Sequence, residues 1–338
     1  MANGLTLAVV GATGAVGQEM LNILEERKFN IKDLICAADP SEEGTKIKFR
    51  GETFVVTTAN ADVFRKADLA LFAVGSDISK QLAPLAVDNN CVVIDNSYAF
   101  RLEKGVPLVV PEVNPQDIAL HKGIIANPNC STTIMVVAIN PIHKAAGLKR
   151  VVVSTYQAVS GAGKAGFQEL DDHIDALRNG VEPKCEVFKY PIGYNVIPHI
   201  DVFVDEDYTR EEMKMVWETR KIMHAPDLKI AATTVRVPVY RSHSESINIE
   251  LEKTLTVKEI RTILENAPGV IVQDNPQQNL YPMPLYTSNR DEVFVGRIRR
   301  DISVDNGIVL WVTADQIRKG AATNAIQIAE IVAEKNLY

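Results

Sequence analysis

A cysteine follows an Asn-Pro-Asn turn, at the point where an apolar run gives way to a helical pattern. Residues 124–126 predict a short strand, and Cys130 begins a segment whose apolar residues recur at helical spacing as far as Gly147. A thiol at a helix N-terminus is stabilised as a thiolate by the helix dipole, so Cys130 is a candidate nucleophile. Most cysteines outside disulfides are small buried hydrophobes, and from position alone that alternative stays open.

Three glycines follow the first apolar run. Residues 5–10 predict a buried strand, Gly11, Gly14 and Gly17 come directly after it, and a helical pattern follows. Glycines in a strand–turn–helix unit let backbone N–H groups approach a diphosphate at the helix N-terminus. The spacing is GxxGxxG and not the commoner GxGxxG, so a purely structural turn is the alternative.

Asp39 follows the predicted second strand, at residues 34–38, where nicotinamide-binding domains distinguish their two cofactors. An acidic residue there pairs with ribose hydroxyls, whereas an arginine accepts a 2′-phosphate. By this rule Asp39 favours NAD. Lys46, Lys48 and Arg50 follow closely and could fold back toward a phosphate, so NADP stays open.

Several other charged or titratable side chains have both a functional and a structural interpretation. Arg101 ends a polar loop and is either an anion clamp at the carboxyl edge of the sheet or a surface residue. Glu211 and Lys214 share a face of a helix that a capping box begins, most simply as an exposed ion pair. His243, in a polar loop between two predicted strands, could act as an acid or base, whereas His173 is predicted to be solvated.

The order of strands and helices predicts two domains. Strands near 34–38, 69–74 and 92–95 alternate with helices, as in a parallel doubly wound sheet. The second half predicts a mixed or antiparallel sheet, with strand candidates at 151–159, 233–239, 246–252, 292–303 and 307–314. We therefore predict an α/β Rossmann cofactor domain over residues 1–129 and an α+β catalytic and dimerisation domain over 130–319. The C-terminal helix, within 320–338, is predicted to pack back on the first domain.

Composition excludes several classes of function. The 338 residues carry a net charge of −7 with scattered basic residues, which argues against nucleic-acid binding. There is no signal-peptide pattern and no apolar stretch long enough to cross a bilayer, so a cytoplasmic protein without a membrane partner is expected. Four cysteines without CxxC spacing suit a reducing compartment and give no metal site.

With these features placed, the chain resembles the aspartate-β-semialdehyde dehydrogenase family from Val9 to the last helix. The motifs that carry the resemblance are GATGAVG at 11–17, VVPEVN at 109–114, NPNCST at 127–132, STYQAVSG at 154–161, HSES at 243–246 and GAA at 320–322. The resemblance implies a Rossmann domain, a glyceraldehyde-3-phosphate-dehydrogenase-like catalytic domain and a homodimer or homotetramer. It also implies reversible NADPH-dependent reduction of L-aspartyl-4-phosphate to L-aspartate 4-semialdehyde and phosphate, toward lysine, threonine and methionine.

The resemblance also implies roles for individual residues. Cys130 would be the nucleophile, His243 the acid/base, and Gln157 would orient the acyl group. The implied contacts to substrate and phosphate are Arg101, Asn129, Glu211, Lys214 and Arg236. The expected cofactor contacts are Gly11, Thr13, Gly14, Ala15, Val16, Gly17, Asp39, Ser160, Gly161 and Gln316. Many members of the family carry an arginine where this chain has Asp39-Pro40, so NAD use is expected alongside NADP.

Two other functions fit parts of the pattern. N-acetyl-glutamyl-phosphate reductase also combines a cysteine with an acyl phosphate, but the Asn-Pro-Asn-Cys130 context and the Glu211/Lys214 pair argue against it. A noncatalytic NAD(P)-binding sensor would keep the fold and lack the chemistry. Labelling of Cys130 by an electrophilic substrate analogue distinguishes an enzyme from such a sensor.

Overall fold

The strands and helices largely follow the apolar patterns of the sequence. A computed structural model describes residues 4–338. The strands in this range are β1 (Leu5–Val10), β2 (Ile31–Ala38), β3 (Lys46–Phe49), β4 (Glu52–Val55), β5 (Thr57–Thr58), β6 (Leu69–Phe72), β7 (Val92–Asp95), β8 (Ile124–Ala126), β9 (Leu148–Gln157), β10 (Lys229–Arg236), β11 (His243–Leu251), β12 (Val270–Val272), β13 (Val293–Arg300) and β14 (Gly307–Ala314). The α-helices are α1 (Ala15–Glu26), α2 (Ala61–Phe64), α3 (Ser76–Asp88), α4 (Cys130–Ala146), α5 (Lys164–Arg178), α6 (Arg210–Ile222), α7 (Val257–Glu265), α8 (Pro284–Thr287) and α9 (Thr323–Glu334).

These elements form two compact units. The first contains the chain up to Asn129 together with Ala321–Tyr338, and the second is Cys130–Gly320. Within residues 4–338, no helix combines the length and the apolar character that crossing a membrane requires.

The first unit is built on a parallel six-stranded sheet with the order β5-β2-β1-β6-β7-β8. Its central strand β1 is almost wholly apolar and buried, which requires cover on both faces of the sheet. Strand order reverses between β1 and β6, and open α/β sheets bind ligands at the carboxyl ends of the strands beside such a point. The predicted doubly wound sheet is confirmed.

Helices bury both faces of this sheet. On one face, Met20 and Leu24 of α1 share an apolar core with Ile328 and Val332 of α9. On the other face, α2 and α3 cover the sheet. The ring of Phe64 in α2 stacks on the ring of Phe72 in β6, with their centroids 5.9 Å apart. The last helix of the chain therefore completes the core of the first unit.

The second unit is built on a mixed six-stranded sheet with the order β10-β9-β11-β14-β13-β12. The edge pairs β10–β9 and β12–β13 are parallel, and the central pairs are antiparallel. The predicted mixed sheet is therefore confirmed. One face packs against α4, whereas the outer face presents Tyr156 and Trp311, whose rings lie 5.5 Å apart.

Helix α4 holds Cys130 at its first position. Residues 134–139 of this helix are completely or almost completely buried, as the continuous apolar pattern predicts. Gly147 follows in the left-handed region, with φ of +69°, and ends the helix. Because the helix is buried and packs on the sheet, the position of its N-terminus, and so of Cys130, is fixed.

Helix α5 buries Leu170 of the predicted side, with Ile174 packed beside it, but its buried surface extends toward residues that were predicted to face solvent. His173, predicted to be solvated, is fully buried, and its ring nitrogens bond with the Lys184 carbonyl at 2.7 Å and the Ile192 N–H at 3.0 Å. Leu177, which helical spacing places on the same side as Leu170 and which was therefore expected to be buried, is exposed. The chain between residues 184 and 192 covers the His173 side, and helical periodicity cannot reveal such a neighbour.

Helix α6 begins with the predicted capping box, in which Thr209 and Glu212 bond reciprocally. The apolar spacing predicts that Met213, Val216 and Trp217 point inward; Val216 is buried, whereas Met213 and Trp217 are only partly buried. Met215 is buried as well. The helix is therefore rotated relative to the prediction, because its buried stripe also contains polar residues that a hydrophobic pattern does not register.

Candidate active site

Cys130 and His243 meet although they are 113 residues apart in the chain. His243 was expected in a loop, but it is the first residue of β11 and is 1% exposed. Its Nε2 lies 3.5 Å from Cys130 Sγ. A thiol at a helix N-terminus and an imidazole nitrogen are therefore within contact distance.

The hydrogen bonds of His243 fix its tautomer. The Ala158 N–H donates to Nδ1 at 3.0 Å, so Nδ1 is an acceptor. We therefore assign the proton of the neutral ring to Nε2, which faces Cys130 Sγ. Burial, and then the charge of Arg236, lower the pKa of His243 to about 3, with Glu211 acting in the opposite direction. The imidazole is thus a neutral N–H donor directed at the sulfur.

Gln157 ends β9 and connects two elements of the site. Its Nε2 donates to Ser131 Oγ, next to Cys130, and to Glu211 Oε1 at 3.1 Å. The β9–β11 register continues this row to His243, since Ser244 pairs with Tyr156. Adjacent strand ends therefore present Gln157 and His243 toward the beginning of α4.

Lys214 and Glu211 form an ion pair at 3.0 Å, as their spacing predicts, but the pair is largely buried and not exposed. Lys214 Nζ also donates to Asp201 Oδ2 at 2.9 Å, and Arg210 binds both oxygens of the same carboxylate. Despite partial burial, the hydrogen bonds from Arg210 and Lys214 hold the pKa of Asp201 well below its usual range. Sequence reasoning missed Asp201, which has a φ of +71° in an irregular segment.

Arg236 ends β10 beside Gln157 and is 7% exposed. Its Nη1 donates to the Ala158 carbonyl at 2.6 Å. Burial lowers the pKa of Arg236, and the charges of Glu211 and Cys130 oppose that effect. Ala158 thus contacts His243 through its N–H and Arg236 through its C=O, so a single peptide segment orients both side chains.

Glycines bring the backbone close to these side chains. A Cβ at Gly161 would lie 2.8 Å from Arg236 Nη1, and one at Gly320 would lie 2.8 Å from Cys130 Cβ. Gln316 donates to Ser160 Oγ and accepts from the Ser242 N–H at 2.9 Å. Ser160, Gly161 and Gln316, all predicted cofactor contacts, therefore belong to the same wall of the second unit.

A second polar row lies under the first on the same face of the sheet. Glu245 pairs in register with Thr155, which pairs with Thr234. All three residues are 0% exposed. Within the described chain, neither carboxyl oxygen of Glu245 and neither threonine hydroxyl has a hydrogen-bond partner. Burial raises the pKa of Glu245 well above its usual value, so the carboxyl group keeps its proton.

The first unit holds the predicted phosphate-binding arginine. Arg101 is buried, and its guanidinium donates to the carbonyls of Asn127 at 2.9 Å and Asn96 at 2.8 Å. Asn127 also bonds to Asn96 and Asn324 through its side chain. Arg101 is therefore an oriented side chain of the segment that precedes Asn129 and not a surface residue.

The glycine turn fits a dinucleotide diphosphate. Gly11 and Gly17 are required by the fold, since a Cβ would lie 2.5 Å from the Ala73 carbonyl oxygen or 2.1 Å from the Gly11 oxygen. Gly14 differs, because a Cβ there would meet only one atom, at 3.4 Å, and it stands at the N-cap of α1 with no side-chain cap. The missing side chain leaves the N-terminus of α1, at Ala15 and Val16, open to an anion.

Two acidic side chains occupy the carboxyl end of β2. The Asp39 carboxylate caps the following turn by accepting from the Ser41 N–H at 3.0 Å and the Ser41 hydroxyl at 2.8 Å. Glu42, which sequence reasoning did not single out, accepts from Thr13 Oγ1 of the glycine turn at 2.8 Å. Contact with the glycine turn therefore belongs to Glu42.

Comparison with known proteins assigns both units to one kind of enzyme. Residues 6–121 match the NAD binding domain of semialdehyde dehydrogenases, and residues 139–319 match their dimerisation domain. The aspartate-semialdehyde dehydrogenase of Aquifex aeolicus (strain VF5) is 53% identical over 99% of each chain, and that of Bacillus subtilis (strain 168) is 50% identical over 100% of each. The crystal structure of aspartate semialdehyde dehydrogenase II from Vibrio cholerae, complexed with ASA, has a TM-score of 0.96 at 43% identity, over 98% of this chain and 99% of that chain.

Proposed function

Since the chain belongs to the aspartate-semialdehyde dehydrogenase family, we propose that it interconverts L-aspartyl-4-phosphate and L-aspartate 4-semialdehyde. The observation that carries the proposal is the 3.5 Å contact between Cys130 Sγ and a His243 nitrogen at the N-terminus of α4. A thiolate in this position can attack the acyl carbon and displace phosphate. The C–S bond forms first and places negative charge on the acyl oxygen; collapse of this oxyanion breaks the C–O bond to phosphate and leaves a thioester on Cys130.

His243 stabilises negative charge in this mechanism. Its Nε2 proton faces the sulfur and would also face an oxyanion on the carbon that the sulfur attacks. Formation and collapse of that oxyanion do not require the ring to lose its proton. The acid/base role implied for His243 stays a prediction, and the bond from Ala158 to Nδ1 favours the donor part of it.

Fixed charges would hold the substrate. The planar guanidinium of Arg236 suits the α-carboxylate, and the carboxylate of Glu211 suits the amino group. The phosphate needs cations, for which Lys214 and Arg101 are the candidates, with Asn129 as an amide donor. Gln157, which bonds to both Ser131 and Glu211, would orient the acyl group.

A nicotinamide dinucleotide is the expected cofactor, and when bound it supplies or accepts the hydride. The open N-terminus of α1 would hold the diphosphate, through the turn that contains Thr13 and Gly14. Ser160, Gly161 and Gln316 would contact the nicotinamide half. The resemblance implies NADPH, and the acidic end of β2, with Asp39, admits NAD as well.

We further propose a homodimer or homotetramer in the cytoplasm. The matched dimerisation domain covers the mixed sheet, whose outer face carries Tyr156 and Trp311. The exposed ring of Tyr156 and the partly buried ring of Trp311 would be covered by a second copy of the chain. The described cysteines form no disulfide, as in proteins of a reducing compartment.

The test is a spectrophotometric assay of aspartate semialdehyde oxidation with each cofactor, in the presence and absence of phosphate. We expect phosphate-dependent reduction of the cofactor, lost in Cys130→Ser with cofactor binding retained. Cys185→Ser is the matched control, because this thiol is exposed and should be dispensable. Wild-type turnover of Cys130→Ser would refute the covalent mechanism, and a preference for N-acetyl-glutamate semialdehyde would refute the substrate assignment.

A further inference from the structure

The carboxyl end of β2 carries two acidic side chains with different local partners. Asp39 is exposed, and its bonds to the Ser41 N–H and hydroxyl hold its pKa below the usual range. Its carboxylate thereby caps the N-terminus of the short 3₁₀ turn Pro40–Glu42. Glu42 is partly buried and reaches the glycine turn, where Thr13 Oγ1 donates to it at 2.8 Å. Glu42 is therefore the carboxylate that the fold positions at the dinucleotide site.

The arginine that follows this turn in the sequence is bound elsewhere. Arg50 was a sequence candidate for binding a phosphate, but its guanidinium donates to the carbonyls of Leu24 at 3.1 Å and Phe29 at 2.7 Å. Leu24 is nine residues beyond the start of α1, so its carbonyl lies about 14 Å along the helix from the glycine turn at 1.5 Å per residue, and Phe29 follows the end of the helix. Lys46 and Lys48 occupy the exposed face of β3, whose other face packs in the core.

The chemistry of this edge distinguishes the two nicotinamide cofactors. The ribose hydroxyls of NAD are donors that a carboxylate accepts, whereas the 2′-phosphate of NADP is a dianion that a carboxylate repels. We propose that Glu42, oriented by Thr13, is the residue that selects NAD over NADP in this enzyme. The proposal rests on the proposed function, because it concerns the cofactor of that reaction, and it reverses the preference that the resemblance implies.

Cofactor binding tests this selection independently of turnover. Isothermal titration of the full chain with NAD⁺ and with NADP⁺ should give at least tenfold tighter binding of NAD⁺. Glu42→Gln should strengthen NADP⁺ binding by roughly 10- to 100-fold, the range expected when one like charge near a phosphate is removed. The same variant should weaken NAD⁺ binding, because a neutral amide oxygen accepts from the ribose hydroxyls less strongly than a carboxylate does, so the ratio of the two affinities should shift toward NADP⁺ from both sides.

Glu43→Gln is the matched control, since Glu43 bonds to Thr58 and not to the glycine turn. It changes the net charge by the same amount and should leave the ratio of the two affinities unchanged. Tighter NADP⁺ binding by the wild type, an unchanged ratio in Glu42→Gln or an equal effect of Glu43→Gln would each overturn the proposal. Selective NAD⁺ binding without phosphate-dependent activity would support the role of Glu42 and refute the proposed function.

Discussion

Replacing Glu245 by glutamine should reveal a buried protonated carboxyl group through the pH dependence of stability. Glu245 is 0% exposed and, in the described structure, neither of its carboxyl oxygens has a hydrogen-bond partner. Burial raises the pKa of this group in the folded state, whereas in the unfolded chain it titrates near 4.5. Above that pH the folded state holds a proton that the unfolded state releases. The contribution of Glu245 to the free energy of unfolding of the wild type is therefore greatest at low pH and decreases as pH rises.

The size of the effect follows from proton linkage. One proton bound by the folded state and not by the unfolded state lowers the free energy of unfolding by about 1.4 kcal/mol per pH unit. Glutamine has nearly the same shape and does not titrate, so its own packing penalty does not vary with pH. Above pH 5.5, the stability of Glu245→Gln relative to the wild type should rise with pH, by up to about 1.4 kcal/mol per pH unit for as long as the folded carboxyl group keeps its proton.

Urea unfolding at pH 5.5, 6.5 and 7.5 measures this difference, at one protein concentration because the enzyme is expected to be oligomeric. Glu250→Gln is the control on the same strand, since Glu250 is partly exposed and lies 3.7 Å from Lys149. It should show a flat difference from the wild type. Parallel curves for Glu245→Gln and the wild type would refute the argument, because the carboxyl group would then titrate alike in both states.

Four further changes test other parts of the structure. Gly17→Ala should destabilise the protein by roughly 1–3 kcal/mol in urea unfolding, because its Cβ would lie 2.1 Å from a backbone oxygen. Gly14→Ala should leave stability within about 0.5 kcal/mol and weaken cofactor binding at least tenfold by titration, and normal binding would contradict an open diphosphate site. Asp201→Asn should raise the KM for phosphate roughly 3- to 10-fold with the KM for the aldehyde unchanged, because Lys214 loses a charged anchor. His243→Gln should gain about 1.4 kcal/mol per pH unit relative to the wild type as pH falls from 6.5 to 4.5, and a constant difference would contradict a neutral imidazole.

The fold could be predicted wherever one apolar period dominates a segment. The run that forms β1 and the continuous apolar face of α4 gave the correct type of element and nearly correct bounds. Prediction failed where polar residues are buried, as at His173 in α5, because their partners come from a distant segment. Prediction also failed at the start of β11, because the residues there that face the active site are polar and gave the segment the composition of a loop.

The sequence identified Gln157 and Lys214 as candidates but not the side chains that bond to them. Ser131 bonds to Gln157 and Asp201 bonds to Lys214, and both contacts depend on the path of the backbone and not on local spacing. Asp201 in particular reaches Lys214 from a left-handed conformation, which no periodic pattern records. Residues that hold other residues in place therefore had no signal in the sequence, whereas residues with reactive groups did.

His243 and Glu245 make the free energy of unfolding depend on pH in opposite directions. Burial lowers the pKa of His243, so the folded state lacks a proton that the unfolded state binds below pH 6.5, and this stability is lost as pH falls toward 3. The stability that depends on Glu245 changes in the opposite direction, because it is lost as pH rises above 4.5. From pH 4.5 to 6.5 both groups are neutral in the folded chain and charged when unfolded, so the two slopes of about 1.4 kcal/mol per pH unit cancel. The pair therefore contributes most to stability in this window and less on either side of it.

A variant that carries both His243→Gln and Glu245→Gln should show a stability difference from the wild type that is constant between pH 4.5 and 6.5 and changes only outside that range. The same burial that keeps His243 an uncharged donor beside Cys130 thus excludes charge from the row beneath it.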